Sequence, residues 1–155
     1  MHRVPVLWEF HKVHHSIEEL DWIGNWRFHW LEAIVYKVLI YPVAAFFGAS
    51  PEAMFWCGVA STLSGHLTHS NLPLRLGPFR YLLVGPAMHA WHHVHPAAGP
   101  PDRNFGLMFS AWDWLFGTAH LPLSETAPTH LGFAGSEYYP RDILRQWLAP
   151  FRALL

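Results

Sequence analysis

The sequence contains two histidine triplets that share the spacing H-x-x-H-H. They are formed by His11, His14 and His15, and by His89, His92 and His93. Because positions i, i+3 and i+4 share one face of a helix, the three imidazoles of each triplet can converge on one metal ion or on a metal pair. A site rich in nitrogen and poor in carboxylates suits iron, zinc, copper or nickel better than magnesium or calcium. The triplets therefore predict a transition-metal site.

The number of histidines alone does not explain this pattern. The chain has 13 histidines among 155 residues, and at that frequency roughly 0.1 copies of H-x-x-H-H are expected by chance. Two copies therefore indicate a function. His66 and His69 form a third cluster, three positions apart, at the end of an apolar run. An ionisable side chain in such a run is a candidate functional residue.

Composition limits the class of protein. The chain is 52% hydrophobic and 14% charged, whereas a soluble domain has roughly a quarter of its residues charged. The chain therefore buries more apolar surface than usual or contacts lipid. A formal net charge of −1 provides no basic surface for nucleic acid. Cys57 is the only cysteine, which excludes an internal disulfide.

Two apolar runs predict a helical hairpin embedded in a membrane. They cover residues 31–47 and 53–67, and the turn between them contains Gly48 and Pro51. Each run is slightly shorter than the roughly 17–25 residues that a full membrane span needs. A buried helical hairpin in a soluble protein is therefore the alternative interpretation.

Charge predicts the orientation of this hairpin. Its turn carries no lysine or arginine, and basic residues flank both ends: Arg3, Lys12, Arg27, Arg75 and Arg80. Positively charged flanks stay in the cytoplasm. We therefore expect an integral membrane protein with every histidine cluster, and His29, on the cytoplasmic face.

The rest of the chain predicts a tail and a terminal helix. Residues 119–140 indicate an extended tail, and 142–155 have the pattern of an amphipathic helix. The arginines on its polar side are Arg141, Arg145 and Arg152. We predict an all-α fold with a single domain, 1–155, in which 1–120 form the core and 121–155 form the tail and terminal helix.

Imidazoles that bind metal need hydrogen-bond acceptors that fix the orientation of the ring. The candidate acceptors are Glu9, Glu18, Glu32, Asp102, Asn104 and Asp113. Three further histidines fall outside any spacing pattern and are not predicted as ligands: His95, His120 and His130.

Five stretches together resemble the fatty acid hydroxylase/sterol desaturase superfamily of membrane di-iron enzymes. They are L-W-E-F-H-K-V-H-H-S (7–16), R-F-H-W-L-E (27–32), H-S-N (69–71), H-A-W-H-H (89–93) and N-F-G…W-D-W-L-F-G-T (104–118). The match covers most of residues 2–118 in the family's order. The resemblance implies a helical membrane protein that holds two non-haem irons. Such a protein activates dioxygen and hydroxylates or desaturates an unactivated C–H bond of a lipid.

The resemblance also implies which residues form the site. The implied metal ligands are His2, His11, His14, His15, His66, His69, His89, His92 and His93. Residues implied to lie beside the ligands or the substrate are His29, Glu32, Asn71, Asn104 and Asp113. Two positions depart from the family pattern. Trp30 replaces a frequent proline, and His66 is one position off the usual spacing to His69.

The start of the chain departs further from the family. The family's first box reads H-R-x-x-H-R-x-P, and the chain opens at Met1-His2-Arg3-Val4-Pro5. His2 matches the second histidine of that box, while the first histidine and the helices before it have no counterpart. The resemblance therefore predicts a truncated member of the family.

Three functions remain open at this point. The first is the di-iron oxygenase, which needs two electrons per turnover. Because the sequence has no nucleotide or flavin fingerprint, an external reductase or small electron carrier is expected as a partner beside the lipid. The second is a truncated metal-binding membrane fragment without activity. The third is a zinc-dependent membrane hydrolase, which the absence of an H-E-x-x-H motif disfavours.

Overall fold

A computed structural model describes residues 1–124 and 126–155. The described residues form six α-helices: α1 (Pro5–His15), α2 (Trp30–Phe46), α3 (Pro51–His69), α4 (Pro86–His92), α5 (Ala111–Phe116) and α6 (Ile143–Ala153). Three short 3-10 helices lie at Trp22–Trp26, Gly77–Tyr81 and Ser136–Tyr138. Within the described residues the only β pairing is an isolated antiparallel bridge between Val94 and Leu131. The predicted all-α class is therefore confirmed.

Two side chains fix the start of α2. His29 Nδ1 accepts a hydrogen bond from the Leu31 backbone N at 3.1 Å, and Glu32 Oε1 accepts one from the His29 backbone N at 3.3 Å. This reciprocal arrangement is a capping box, which satisfies backbone donors that a helix leaves free at its first turn. The cap holds the Glu32 carboxylate at the buried end of α2.

The two apolar runs do form a pair of helices joined by a turn. Ser50 caps α3 through a hydrogen bond from the Ala53 backbone N to its Oγ, and Pro51 occupies the first turn. Many apolar side chains of both helices are exposed, including Val38, Phe46 and Leu63. Among the described helices, none combines the length and the apolar composition that crossing a membrane requires.

The interior is built around histidines. Its apolar members come mainly from α1 and α4 and the segments that follow them: Phe10, Val13, Ile17, Val84, Met88, Ala90, Val94, Leu131 and Phe133. Six buried histidines lie beside this core: His11, His15, His29, His69, His89 and His93. Buried polar groups are costly unless they have partners. An interior of this composition therefore indicates a site with a ligand of its own.

The terminal segment packs back onto the first helix. The predicted tail contains the 3-10 helix Ser136–Tyr138 and pairs with the chain after α4 through the Val94–Leu131 bridge. The predicted terminal helix forms as α6 and contacts α1. Asp142 caps it by accepting a hydrogen bond from the Arg145 backbone N at 2.9 Å. The end of the chain thereby lies close to the histidine-bearing α1.

Candidate metal centre

Eight histidines form two groups of four. In each group the candidate ligand atoms all lie within 4.8 Å of one another. The first histidine group contains His2, His11, His15 and His92. The second histidine group contains His14, His69, His89 and His93. The structure thus separates the predicted ligands into two sites of equal size.

Each H-x-x-H-H triplet is divided between the two groups. On α1, His11 and His15 join the first group and His14 joins the second, and α4 divides its triplet the opposite way. Positions i and i+4 are about 40° apart around a helix, whereas i+3 and i+4 differ by about 100°. One triplet can therefore supply two ligands to one side of the helix and a third to a neighbouring site. This geometry favours a pair of metal sites over a single site.

Distances within the groups match those of a metal-binding set. In the second group, Nε2 of His69 lies 3.2 Å from Nε2 of His14 and 3.0 Å from Nε2 of His89. In the first group, Nε2 of His2 lies 3.2 Å from Nε2 of His92. Imidazole nitrogens that bind one tetrahedral ion at about 2.0–2.1 Å are roughly 3.3–3.4 Å apart. A movement of a few tenths of an ångström would admit an ion.

Burial keeps these imidazoles neutral. It lowers the pKa of His2 from 6.5 to about 2 and that of His92 to about 4, and neighbouring histidines contribute to both shifts. Burial also lowers the pKa well below 6.5 for His14, His15, His89 and His93. Neutral imidazole is the form that binds metals. These six side chains can therefore bind a metal at neutral pH without losing protons.

One buried nitrogen supports this interpretation directly. His15 Nε2 is buried and has no hydrogen-bond partner among the described residues. A buried polar atom without a partner costs about 1–3 kcal/mol. A metal ion in the first group would satisfy this nitrogen, so the residues present fit a metal.

Hydrogen bonds from Nδ1 orient the rings. His11 Nδ1 donates to Glu32 Oε2 at 2.7 Å, and both side chains are buried. His14 and His92 donate to the backbone carbonyls of Arg27 and Arg103, each at 2.9 Å. A ring that donates from Nδ1 leaves the lone pair of Nε2 available for a metal. Sequence reasoning found Glu32 but not the carbonyls, because a backbone acceptor has no residue-type signal.

Asp102 was also a candidate acceptor. Its Oδ1 lies 3.6 Å from His2 Nδ1, which is an ion-pair distance and is too long for a hydrogen bond.

Asn104 and Asp113 hold a loop against α4, and within the described part of the chain neither forms a hydrogen bond with a histidine of the two groups. Asn104 Nδ2 donates to the Met88 carbonyl at 2.8 Å. Asp113 accepts from the backbone N atoms of Phe105 and Gly106 at 2.7 and 2.8 Å. These bonds place the Phe105 ring 5.2 Å from the His2 ring. The two residues therefore shape the surroundings of the first group.

The structure places three other predicted site residues outside both groups. His66 Nδ1 donates to the Trp22 carbonyl at 2.7 Å, and its ring lies between Trp22 and Trp26. Positions i and i+3 differ by about 60° around a helix, so His69 faces the centre while His66 faces the 3-10 helix. His66 thus lies outside both groups, although the resemblance implies it as a ligand. His29 donates to the Trp147 carbonyl, and Asn71 is exposed.

A mostly apolar cavity of about 1020 Å³ leads to both groups. Six histidines of the groups line one end of it: His2, His11, His14, His69, His89 and His92. α2 contributes a wall with Ala33, Lys37, Ile40, Tyr41 and Ala44. α3 contributes small side chains that include Cys57, Gly58, Ser61, Thr62 and Gly65. A second cavity of about 440 Å³, near Glu18 and Arg141, touches none of the group histidines.

The fold and this site define an all-helical protein whose paired histidine groups can hold metal ions beside an apolar cavity. Residues 1–118 match the model of the family described as "Fatty acid hydroxylase". The chain belongs to the fatty acid hydroxylase family, as the motifs predicted.

Similarity to characterised proteins agrees with this family. The chain is 32% identical to "Ornithine lipid hydroxylase OlsE" from Rhizobium tropici over 146 residues, which are 94% of this chain and 43% of that protein. It is 26% identical to "Alkylglycerol monooxygenase" from Xenopus tropicalis and 27% identical to the Homo sapiens protein of that name. Each of those two alignments covers 76% of this chain and 26% of the relative. The chain thus spans less than half the length of these relatives. No solved structure matches the chain.

Proposed function

We propose that this chain carries the metal centre of a non-haem di-iron oxygenase that hydroxylates or desaturates an unactivated C–H bond of a lipid. The observation on which this proposal rests is that two groups of four histidines open onto one apolar cavity. Family membership and the names of the relatives, a lipid hydroxylase and a monooxygenase, support the same reaction class.

The donor set supports two iron ions. Each group offers four imidazoles, and the rings of His15 and His93, one from each group, lie only 4.4 Å apart between centroids. Imidazole suits iron, zinc, copper and nickel, so the donor set alone does not select among them. The family of the chain favours iron. Bound iron would supply the activation of dioxygen, which no amino-acid side chain provides.

The chain's own residues would orient the ligands and exclude water. Glu32 holds His11 through a buried charge-assisted hydrogen bond. Asn104 and Asp113 fix the loop that places Phe105 beside His2 and His92. An apolar ring at this position keeps water away from the histidines, and a dry site limits side reactions of an oxidising centre.

The cavity supports a long apolar substrate. Its walls include α2 and α3, which are about 25 Å and about 29 Å long at 1.5 Å per residue. Most of the wall surface is apolar, and the polar side chains on it include Lys37, Tyr41 and Ser61. We infer that an acyl or alkyl chain lies along this cavity with the reacting carbon at the histidine end.

Membrane placement and electron supply are part of the proposal. The exposed apolar side chains of α2 and α3 support contact of this hairpin with lipid. Positive flanks support a cytoplasmic position of the histidines. An external reductase or small electron carrier would deliver the two electrons per turnover.

Metal analysis of the protein purified in detergent after iron-replete expression tests the proposal. We expect two irons per chain. Because the groups are separate, His92→Ala and His93→Ala should each remove about one iron, from the first and the second group respectively. His66→Ala is the matched control and should keep both irons, since His66 lies outside both groups. Circular dichroism of each variant verifies folding.

Three results would contradict parts of this proposal. Zinc as the only metal would favour the hydrolase. The absence of stoichiometric metal would favour a fragment without activity. Two irons together with no oxygen-dependent change in any lipid, measured by mass spectrometry with added reductant, would refute catalysis by this chain alone.

A further inference from the structure

The terminal helix α6 buries one polar side chain and a proline against the protein and leaves several large apolar side chains exposed. Gln146 and Pro150 are buried against the body, and Gln146 Nε2 donates to the Pro140 carbonyl at 2.6 Å. Leu144 and Leu148 are instead 67% and 51% exposed. An amphipathic helix on a soluble protein normally buries its large apolar side chains and exposes its polar ones. The outward face of α6 therefore needs a different partner.

The exposed apolar residues of α6 form one continuous sector. At about 100° per residue, Leu144, Leu148 and Phe151 fall within a sector roughly 60° wide. Leu144 and Leu148 are the most exposed of the three, whereas the Phe151 ring lies 5.5 Å from the buried Phe10 ring and forms the edge of the sector next to the protein. Arg145 and Arg152 follow directly on the side away from the protein body, and both are also exposed. Around the helix, the face on the protein body is thus followed by the apolar sector and then by the arginines. A helix that lies flat in a lipid interface has this arrangement, with its basic residues at the level of the head groups.

Charge favours an anionic lipid over a neutral one. The segment 141–155 contains three arginines and one acidic residue, Asp142. Arg141 lies 3.5 Å from Glu18, and Arg145 lies 3.4 Å from Asp142. The two arginine side chains are 87% and 75% exposed. Ion pairs this exposed contribute little, so both guanidinium groups can exchange these carboxylates for phosphate oxygens.

The sector continues into other exposed apolar surface. The buried His29 ring lies 5.8 Å from the Phe151 ring on α6 and 5.3 Å from the Trp30 ring on α2. Trp30 is 47% exposed and is followed on the same helix by the exposed Ile34 and Val38. Two helices thus present adjoining apolar surface. A lipid surface can cover such an area, whereas a short peptide segment covers only part of it.

We propose that α6 lies in the interface of an anionic lipid surface, with Leu144 and Leu148 inserted and Arg145 and Arg152 at the lipid phosphates. This inference goes beyond the proposed function, because α6 lies outside residues 1–118, which match the family model. α6 would also touch lipid whether or not the histidine groups oxidise a substrate.

A fluorescent probe at single cysteines tests the inserted face. In a Cys57→Ser background, an environment-sensitive dye is attached at Leu148→Cys. The matched control is Ala153→Cys, which is exposed on the opposite side of α6. The full chain is reconstituted in phosphatidylcholine vesicles with and without phosphatidylglycerol. A spin-labelled lipid should quench the dye at position 148 several-fold more than at position 153.

The arginines are tested in the same vesicles. One basic residue near an anionic surface contributes about fivefold to binding. Arg145→Gln combined with Arg152→Gln should therefore lower the ratio of lipid-contacting to water-exposed α6 by up to about 25-fold in vesicles with phosphatidylglycerol. The same change should have little effect in pure phosphatidylcholine.

Different results would overturn different parts of the proposal for α6. No quenching at position 148 overturns the insertion. Shielding of the dye that grows with protein density, without quenching by lipid, assigns the face to a second copy of the chain. Equal quenching with and without the arginines overturns the anionic component. Iron content is measured in parallel. Lost lipid contact with intact iron refutes only this inference, whereas lost iron with intact contact refutes only the proposed function.

Discussion

Replacing Glu32 should weaken one metal site and leave the other intact. Glu32 is 3% exposed, and its Oε2 accepts the 2.7 Å hydrogen bond from His11 Nδ1. His11 belongs to the first histidine group, and no hydrogen bond or ion pair is found between Glu32 and the second group within the described residues. In Glu32→Ala, the buried Nδ1–H of His11 loses a charge-assisted bond worth about 1.5–3 kcal/mol.

The expected effect on metal affinity follows from this bond. A loss of about 1.5–3 kcal/mol corresponds to roughly 10- to 150-fold in a binding constant, and removal of such a carboxylate partner typically costs 10- to 100-fold in metal affinity. Glu32→Ala should therefore weaken the first site by about 10- to 100-fold. Glu32→Gln keeps an oxygen acceptor of similar shape and should weaken it by about tenfold or less.

Competition with a chelator measures this difference. Protein with both sites filled is titrated with a graded chelator in detergent, and iron per chain is followed. The wild type should lose both irons over one range of chelator concentration, whereas Glu32→Ala should release about one iron at a much lower concentration. Glu9→Gln is the control, because Glu9 is an α1 carboxylate that pairs with Lys12 at 2.6 Å and is in neither histidine group. Equal weakening of both irons, or of neither, would refute the reasoning.

Three further predictions concern stability and substrate. Burial lowers the pKa of several histidines, among them six of the two groups: His2, His14, His15, His89, His92 and His93. Below about pH 6.5 these six bind protons in the unfolded chain but not in the folded one, so the free energy of unfolding is highest above that pH and falls as the pH drops. Each of these histidines lowers the free energy of unfolding by about 1.4 kcal/mol per pH unit. The metal-free protein should therefore unfold within about two pH units below pH 6.5. A circular-dichroism signal that stays constant from pH 7 to pH 4 would contradict this prediction. Gly58→Phe should fold normally, because nothing lies within 4 Å of an added Cβ, but it should fill the cavity and shift the product toward shorter chains in lipid mass spectrometry. Ala60→Phe, on the same helix but outside the cavity lining, should leave the product unchanged. Asp113→Ala removes three hydrogen bonds and should lower the free energy of unfolding by about 3 kcal/mol, against about 1 kcal/mol for Thr118→Ala, which loses one of them. Equal losses in denaturation of these two variants would show that the backbone bonds of Asp113 contribute nothing.

Much of the metal centre could be predicted from sequence. Eight of the nine predicted ligands lie in the two groups, because helix geometry places residues of an H-x-x-H-H motif on neighbouring faces wherever the helix packs. The helices α2 and α3, the turn between them and the terminal helix could also be predicted, from apolar periodicity and from Gly48 and Pro51. These features depend on interactions over a few residues, which local sequence determines.

Other features needed the fold. The sequence could not show that His66 faces Trp22, because the choice between two sides of α3 depends on what packs against each side. It also could not show that α6 buries Gln146 and exposes Leu148, since an amphipathic pattern identifies two faces without saying which one meets the protein. The Arg103 carbonyl that orients His92 carries no residue-type signal.

The sequence by itself determined that this protein carries imidazoles in sets suited to a metal, and it placed the chain in its family. Only the tertiary structure decided that there are two groups, that each triplet is divided between them, and that His2 meets His92 across 90 positions of the chain. The physical reason is the range of the interactions. Spacing within one helix is fixed by the helical repeat, whereas the pairing of α1 with α4 depends on how the whole interior packs.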